Sequence, residues 1–121
     1  MTDVLGNYLG NLWLQKLVDA GVWLGLCTDD PTPLGDPSAE LIGGDYLRAA
    51  ISFAPPSGKA ITSNDSQLFV GLSACLITYL GLWDLRVGGH FLLAKKLADP
   101  GITVLEMGNF LCAAGDFAIQ L

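Results

Sequence analysis

The sequence predicts a mainly β, antiparallel domain of the sandwich or jelly-roll kind, with one N-terminal α-helix. Three observations predict it. The spacing of apolar residues changes from a helical period to a period of two immediately after Gly21. Fifteen glycines and six prolines divide the rest of the chain into short segments. No helical pattern falls between those segments, which argues against a parallel α/β sheet.

The helix is predicted over residues 2–20. Thr2 is placed to cap it, Asp3 suits the positive end of its dipole, and Gly21 is placed to stop it. Leu5, Leu9, Leu12, Trp13 and Leu17 form an apolar stripe, read as packing either on the chain's own domain or on a neighbouring subunit. Val22, Leu24 and Leu26 then alternate with Trp23, Gly25 and Cys27 in a first strand. Asp29 to Asp45 is a long, proline- and glycine-rich loop. Tyr46 to Phe53 follows as a strand, and residues 54–58 as a turn. Ile61 to Val70 reads as a strand interrupted near Asn64-Asp65. Leu76 to Trp83 and His90 to Leu97 form a hairpin around Gly88-Gly89, whose glycines permit positive φ. Ile102 to Met107 and Ala113 to Leu121 supply the last two strands. The chain reads as a single domain, 1–121, with the helix at 2–20 and the sandwich at 22–121.

Composition narrows the function. Of 121 residues, 51% are hydrophobic and 15% charged, below the roughly 25% of an ordinary soluble domain. Such a surface is short of charge, so covering by partner chains is expected. The net charge is −6 with scattered basic residues, which opposes nucleic-acid binding. The longest uncharged stretch, Ser66 to Trp83, contains Gly71, Ser73, Thr78 and Gly81 and is shorter than the roughly 20 apolar residues of a membrane span. With Asp3 early and no basic residue before Lys16, the N-terminus does not read as a signal peptide. Cys27, Cys75 and Cys112 are odd in number and widely spaced, as reduced core thiols are.

The search for chemistry yields structural readings. His90 has Asp84 across a turn as its nearest partner, read as a surface pair. Asp29, Asp30, Asp36, Glu40 and Asp45 crowd one loop without calcium-loop spacing, because Pro31 follows the adjacent acids. Arg48 is placed to pair with Glu40 or Asp45, Asp84 to accept turn N–H groups, and Asn64 to bond backbone at a strand irregularity. No catalytic residue, metal or cofactor is expected.

The order of these motifs carries more. Val22-Trp23-Leu24-Gly25-Leu26-Cys27-Thr28-Asp29-Asp30-Pro31 is followed by Gly35, Glu40, Gly43-Gly44 and Tyr46-Leu47-Arg48. Ile61-Thr62-Ser63-Asn64, Leu80-Gly81-Leu82-Trp83-Asp84 and Gly88-Gly89 with Phe91-Leu92-Leu93 complete the series. Across nearly the whole chain this resembles small β-sandwich virion proteins of siphophages often labelled tail fibre protein. Cys27 stands where that family commonly has His, Asp29-Asp30 adds acid before Pro31, and Ala49 replaces a polar residue.

The resemblance implies a structural virion protein assembled in the bacterial host's cytoplasm. Combined with the apolar excess, it points first to a capsid decoration or minor capsid protein that binds the major capsid protein and associates with itself symmetrically. The alternative is a tail, tail-fibre or baseplate component bound to tail proteins. A third reading, a carbohydrate-binding sandwich using Trp13, Trp23 and Trp83, competes with packing of those rings in the core.

Overall fold

The computed structural model describes residues 4–121 and shows one α-helix, a short 3-10 turn at Pro37–Ala39 and ten short strands, all paired antiparallel. The helix α1 spans Asn7–Ala20, with extended Gly6 at its N-cap and Gly21 at φ 73° closing it. It starts later than predicted: residues 4–6 are not helical, and Thr2 and Asp3 lie outside the described residues.

The central sheet follows from three segments with complementary apolar alternation. Strand β1 (Val22–Cys27) pairs with β2 (Ala49–Ile51) on one side and β6 (Tyr79–Trp83) on the other. β6 then pairs with β7 (Phe91–Lys96) across the hairpin predicted from Gly88-Gly89, giving the order β2-β1-β6-β7. Val22, Leu24, Leu26, Leu80 and Leu82 point into the core.

The opposing layer is built from ladders. β3 (Ala60–Thr62) pairs with β10 (Ala118–Gln120), β4 (Gln67–Leu72) with β9 (Gly108–Cys112), and β5 (Cys75–Ile77) with β8 (Ile102–Val104). The last two ladders share one register. Gln67 opposes Cys112 and Ile77 opposes Ile102, so 67–77 and 102–112 form one long ribbon, kinked where Leu72 opposes Gly108. Ile61, Phe69, Leu72, Ile77, Phe110, Phe117 and Ile119 close the core from this side, as in a β-sandwich.

Several predicted boundaries shift for identifiable reasons. The 61–70 segment breaks into β3 and β4 around Asn64, as predicted. The 76–83 segment breaks at Thr78, whose N–H leaves its ladder and donates to the Cys27 carbonyl at 2.9 Å. β9 falls in a stretch read as non-strand, because its inward residues are Phe110 and Cys112 and its first half is Gly108-Asn109.

The helix presents a different face from the one predicted. Gly10 and Leu14 are buried, and Leu17 and Val18 pack against the core. Gly10 is needed for close approach: a Cβ there would lie 2.5 Å from the Lys59 side chain. The Lys59 ammonium donates to the Leu5 carbonyl at 2.8 Å, and Asn11 accepts from the Lys59 N–H at 2.8 Å. Of the predicted stripe, Leu5 and Leu17 are half-buried, whereas Leu9, Leu12 and Trp13 are exposed, Trp13 by 53%. The predicted stripe meets the core through Leu17, while its Leu9, Leu12 and Trp13 face away from it.

This partition predicts contrasting stabilities. Phe117 is fully buried with its ring edge-on to Phe53 at 6.0 Å. Phe117→Ala is expected to cost about 3–5 kcal/mol in urea unfolding, and Trp13→Ala under about 1 kcal/mol. Equal costs would show Trp13 to be packed within its own chain.

Candidate functional site

β1 and β6 are apolar on both faces, and the reason lies in what covers the outer one. Gly25 and Gly81 are paired across the two strands. A Cβ on Gly25 would lie 2.6 Å from the Trp83 ring and 2.6 Å from the Tyr46 hydroxyl, and one on Gly81 would lie 2.7 Å from the same indole. The glycine pair is a slot for Trp83. Sequence reading treated both glycines only as strand positions; their mid-strand placement was the available signal.

The long acidic loop folds back over this slot. Thr28 N–H donates to the Ala39 carbonyl and Leu41 N–H to the Leu26 carbonyl, each at 2.9 Å, which fixes Glu40 against the end of β1. The Arg48 guanidinium lies 4.1 Å from the centre of the Trp83 ring. Its Nε donates to Glu40 Oε2 and its Nη2 to Glu40 Oε1, both at 2.8 Å, in the two-point geometry favoured by arginine–carboxylate pairs. Nη1 donates to the Leu85 carbonyl at 2.9 Å and the Gly88 carbonyl at 2.7 Å. The Tyr46 hydroxyl donates to Glu40 Oε2 and accepts from the Leu26 N–H at 3.1 Å. The Arg48 side chain is only 9% exposed.

Electrostatics follow from this packing. Burial alone would lower the Arg48 pKa, but the hydrogen bonds and charge of Glu40 raise it above the ordinary value. Burial raises the Tyr46 pKa, reinforced by Glu40. Burial, then the Glu40 charge, pushes the Cys27 thiol up to about 12, with Arg48 partly opposing. Burial also raises the Cys75 and Cys112 thiols.

The hairpin turn is held from its own side as well. Asp84 accepts from the His90 N–H at 2.6 Å and pairs with the exposed His90 ring at 2.8 Å. The bond from the His90 backbone lowers the Asp84 pKa, helped by the side-chain bond. Gly88 and Gly89 have φ of 65° and 74°. A cleft of about 350 Å³ lies between turn and loop, lined by Leu34, Pro37, Glu40, Arg48, Trp83, His90 and Phe91 among others.

Glu40, Tyr46, Arg48, Trp83, Asp84, Gly88 and Gly89 are thus brought to one place, and Arg48 chooses Glu40 over Asp45. Asp30 and Pro31 lie in the covering loop. Asp30 accepts from the Thr32 N–H at 2.8 Å, as a turn residue does, and Pro31 is buried. Asn64 belongs elsewhere: its side chain accepts from the Ser52 hydroxyl at 2.6 Å rather than bonding backbone. Leu5, Leu9, Leu12, Trp13 and Leu17 are on the helix. Trp83 is buried under Arg48, and Trp23 is half-buried, so the three tryptophans form no common stacking platform.

Chemically the cluster is closed. Four of the five guanidinium N–H groups are engaged, and both Glu40 oxygens accept. Such a set locks loop, sheet and turn together.

In comparisons with known proteins, a family model described as podophage GP4 fiber I protein gp80 matches residues 1–120. No curated protein matches.

Two measurements check the clamp. Arg48→Met is expected to cost about 3 kcal/mol, because it leaves the Glu40 carboxylate half-covered and unpaired. Paired with Glu40→Gln, it should cost less than the sum of the single changes by about 1 kcal/mol or more. Additive losses would mean the pair is not coupled.

The Cys27 shift sets a pH dependence. A thiol whose folded pKa is about 12, against an ordinary 9.0, keeps its proton in the folded state while the unfolded thiol ionises. Its contribution is therefore whole below pH 9 and is lost as pH rises from 9 toward 12, at about 1.4 kcal/mol per pH unit. Urea unfolding between pH 8 and about 10.5 should show a shallower decline for Cys27→Ala than for the parent.

Proposed function

We infer the function from one premise: the chain belongs to the family of the podophage GP4 fiber I protein gp80. A phage fibre is a structural part of the particle, and we propose that this chain is a non-enzymatic fibre component carried on the tail. Its partners are other tail proteins and further copies of itself.

One observation carries the structural reading. The residues that most resemble a catalytic or binding site spend their hydrogen bonds on one another, while large apolar side chains outside the core are left uncovered. A protein organised this way presents surfaces for assembly on a locked scaffold. On α1, Tyr8, Leu9, Leu12 and Trp13 are exposed on the side away from Leu14, which favours the neighbouring-subunit reading of the helix.

Capsid decoration, the first expectation from composition, accounts equally for the uncovered apolar surface. The fibre family favours the tail instead, and it is a podophage family rather than the siphophage one the motifs resemble. The carbohydrate reading is weakened by the covering of Trp83.

Copy number separates head from tail. Quantitative mass spectrometry of purified particles, with heads and tails fractionated, is expected to find the chain with the tails at roughly a few dozen copies at most, as tail symmetry dictates. Hundreds of copies retained on heads, in simple ratio to the major capsid protein, would return the assignment to capsid decoration.

A further inference from the structure

The ribbon made by 67–77 and 102–112 has an outer face unlike the rest of the surface. Its inward residues, Phe69, Leu72, Ile77, Val104, Phe110 and Cys112, are buried. Its outward residues should be polar in an isolated antiparallel sheet with one wet side. Instead Leu68, Val70, Leu76 and Leu111 stand on that side, with Leu68 directly opposite Leu111 and each 56% exposed, and Leu105 and Met107 are exposed in the adjoining turn.

The face is also uncharged. Residues 67–77 contain no Asp, Glu, Lys or Arg, and 102–112 contain only Glu106. Glu106 turns its carboxylate to the Ala74 N–H at 3.1 Å. The other seventeen charged residues of the chain lie outside the ribbon.

We propose that this outer face is the contact between two copies of the chain, packed ribbon on ribbon about a twofold axis. Charge selects the occupant. A chain of net charge −6 repels its own copies through most of its surface, and the ribbon is where two copies can meet with a single charge each to accommodate, Glu106, already held by the Ala74 N–H. A basic partner would gain nothing from this face and would be drawn to the acidic loops.

Area and geometry fit as well. The six side chains expose on the order of 500 Å² of apolar surface, the scale at which a patch marks an interaction site. With Thr103 and Asn109 on the same side, the face approaches the roughly 800 Å² per partner of a standard interface. Sheets stack face to face at about 10 Å by interdigitating such side chains, and a twofold makes one patch complementary to itself.

The choice of a second copy as occupant rests on the fibre reading, but the two fail separately, because particle fractionation locates the chain and solution association tests the face. Sedimentation velocity over a concentration series is the test, with Leu111→Asp and Leu68→Asp on the ribbon and Leu12→Asp on the helix. Dimers are expected for the parent and for Leu12→Asp. Either ribbon variant should raise the dimer Kd about 100-fold or more, since the twofold sets two like charges together in a desolvated contact. Circular dichroism and melting should stay close to the parent's, because both positions are exposed. Should a ribbon variant not fold, Asn109→Cys treated with a short bis-maleimide should give a covalent dimer across the axis. A parent that stays monomeric to near-millimolar concentration would overturn the proposal. Loss of association in Leu12→Asp with retention in Leu111→Asp, or absence of the Asn109→Cys cross-link, would do the same.

Discussion

The Arg48 guanidinium, 4.1 Å over the Trp83 ring and held by both oxygens of Glu40, joins three parts of the chain through one side chain. One is the central sheet, whose paired glycines accept the indole. Another is the acidic loop, which delivers Glu40. The third is the 84–90 turn, whose carbonyls take the remaining Arg48 donors. A lysine could supply the charge but neither the fork nor the flat face. Desolvating this pair is costly on its own. The cost is offset because nearly every polar atom finds a partner, and the aromatic surface beneath would otherwise be wet.

This arrangement makes the outer face of β1 and β6 a second, smaller interior. A sheet normally alternates between core and solvent, so a strand reading Val-Trp-Leu-Gly-Leu-Cys wastes apolar surface unless something covers its back. The loop from Asp29 to Asp45 is that cover, which explains both its length and its internal turns at Asp30 and Asp36. Among the described residues, nothing covers the ribbon of the opposite layer, or Tyr8, Leu12 and Trp13 on α1, in that way. The contrast between a covered and an uncovered apolar face, within one small domain, distinguishes scaffold from assembly surface.

Much of this was legible in the sequence. Alternation located β1 and the β6–β7 hairpin, Asn64-Asp65 marked a break, and Arg48 was offered Glu40 or Asp45 as partner, whereas its approach to Trp83 was not read. The sequence left the helix's partner open for a physical reason: Leu9, Leu12 and Trp13 keep the same period as Gly10, Leu14, Leu17 and Val18, and period alone does not say which stripe meets the core. The buried stripe contains a glycine, so it scores as the less apolar one, although Gly10 is what lets Lys59 approach. β9 was hidden by Gly108-Asn109. The common register of 67–77 with 102–112 is a long-range pairing, which no local window reveals.

The central claim is that Arg48 is a fixed structural clamp rather than a free functional group. Nitrogen-resolved NMR of its guanidinium at neutral pH tests it directly. A clamped side chain should give a slowly exchanging Nε–H and separate, non-averaged Nη–H signals, with Nη1 protected by the Leu85 and Gly88 carbonyls. A single averaged Nη signal exchanging rapidly with water would show a mobile arginine and contradict the account.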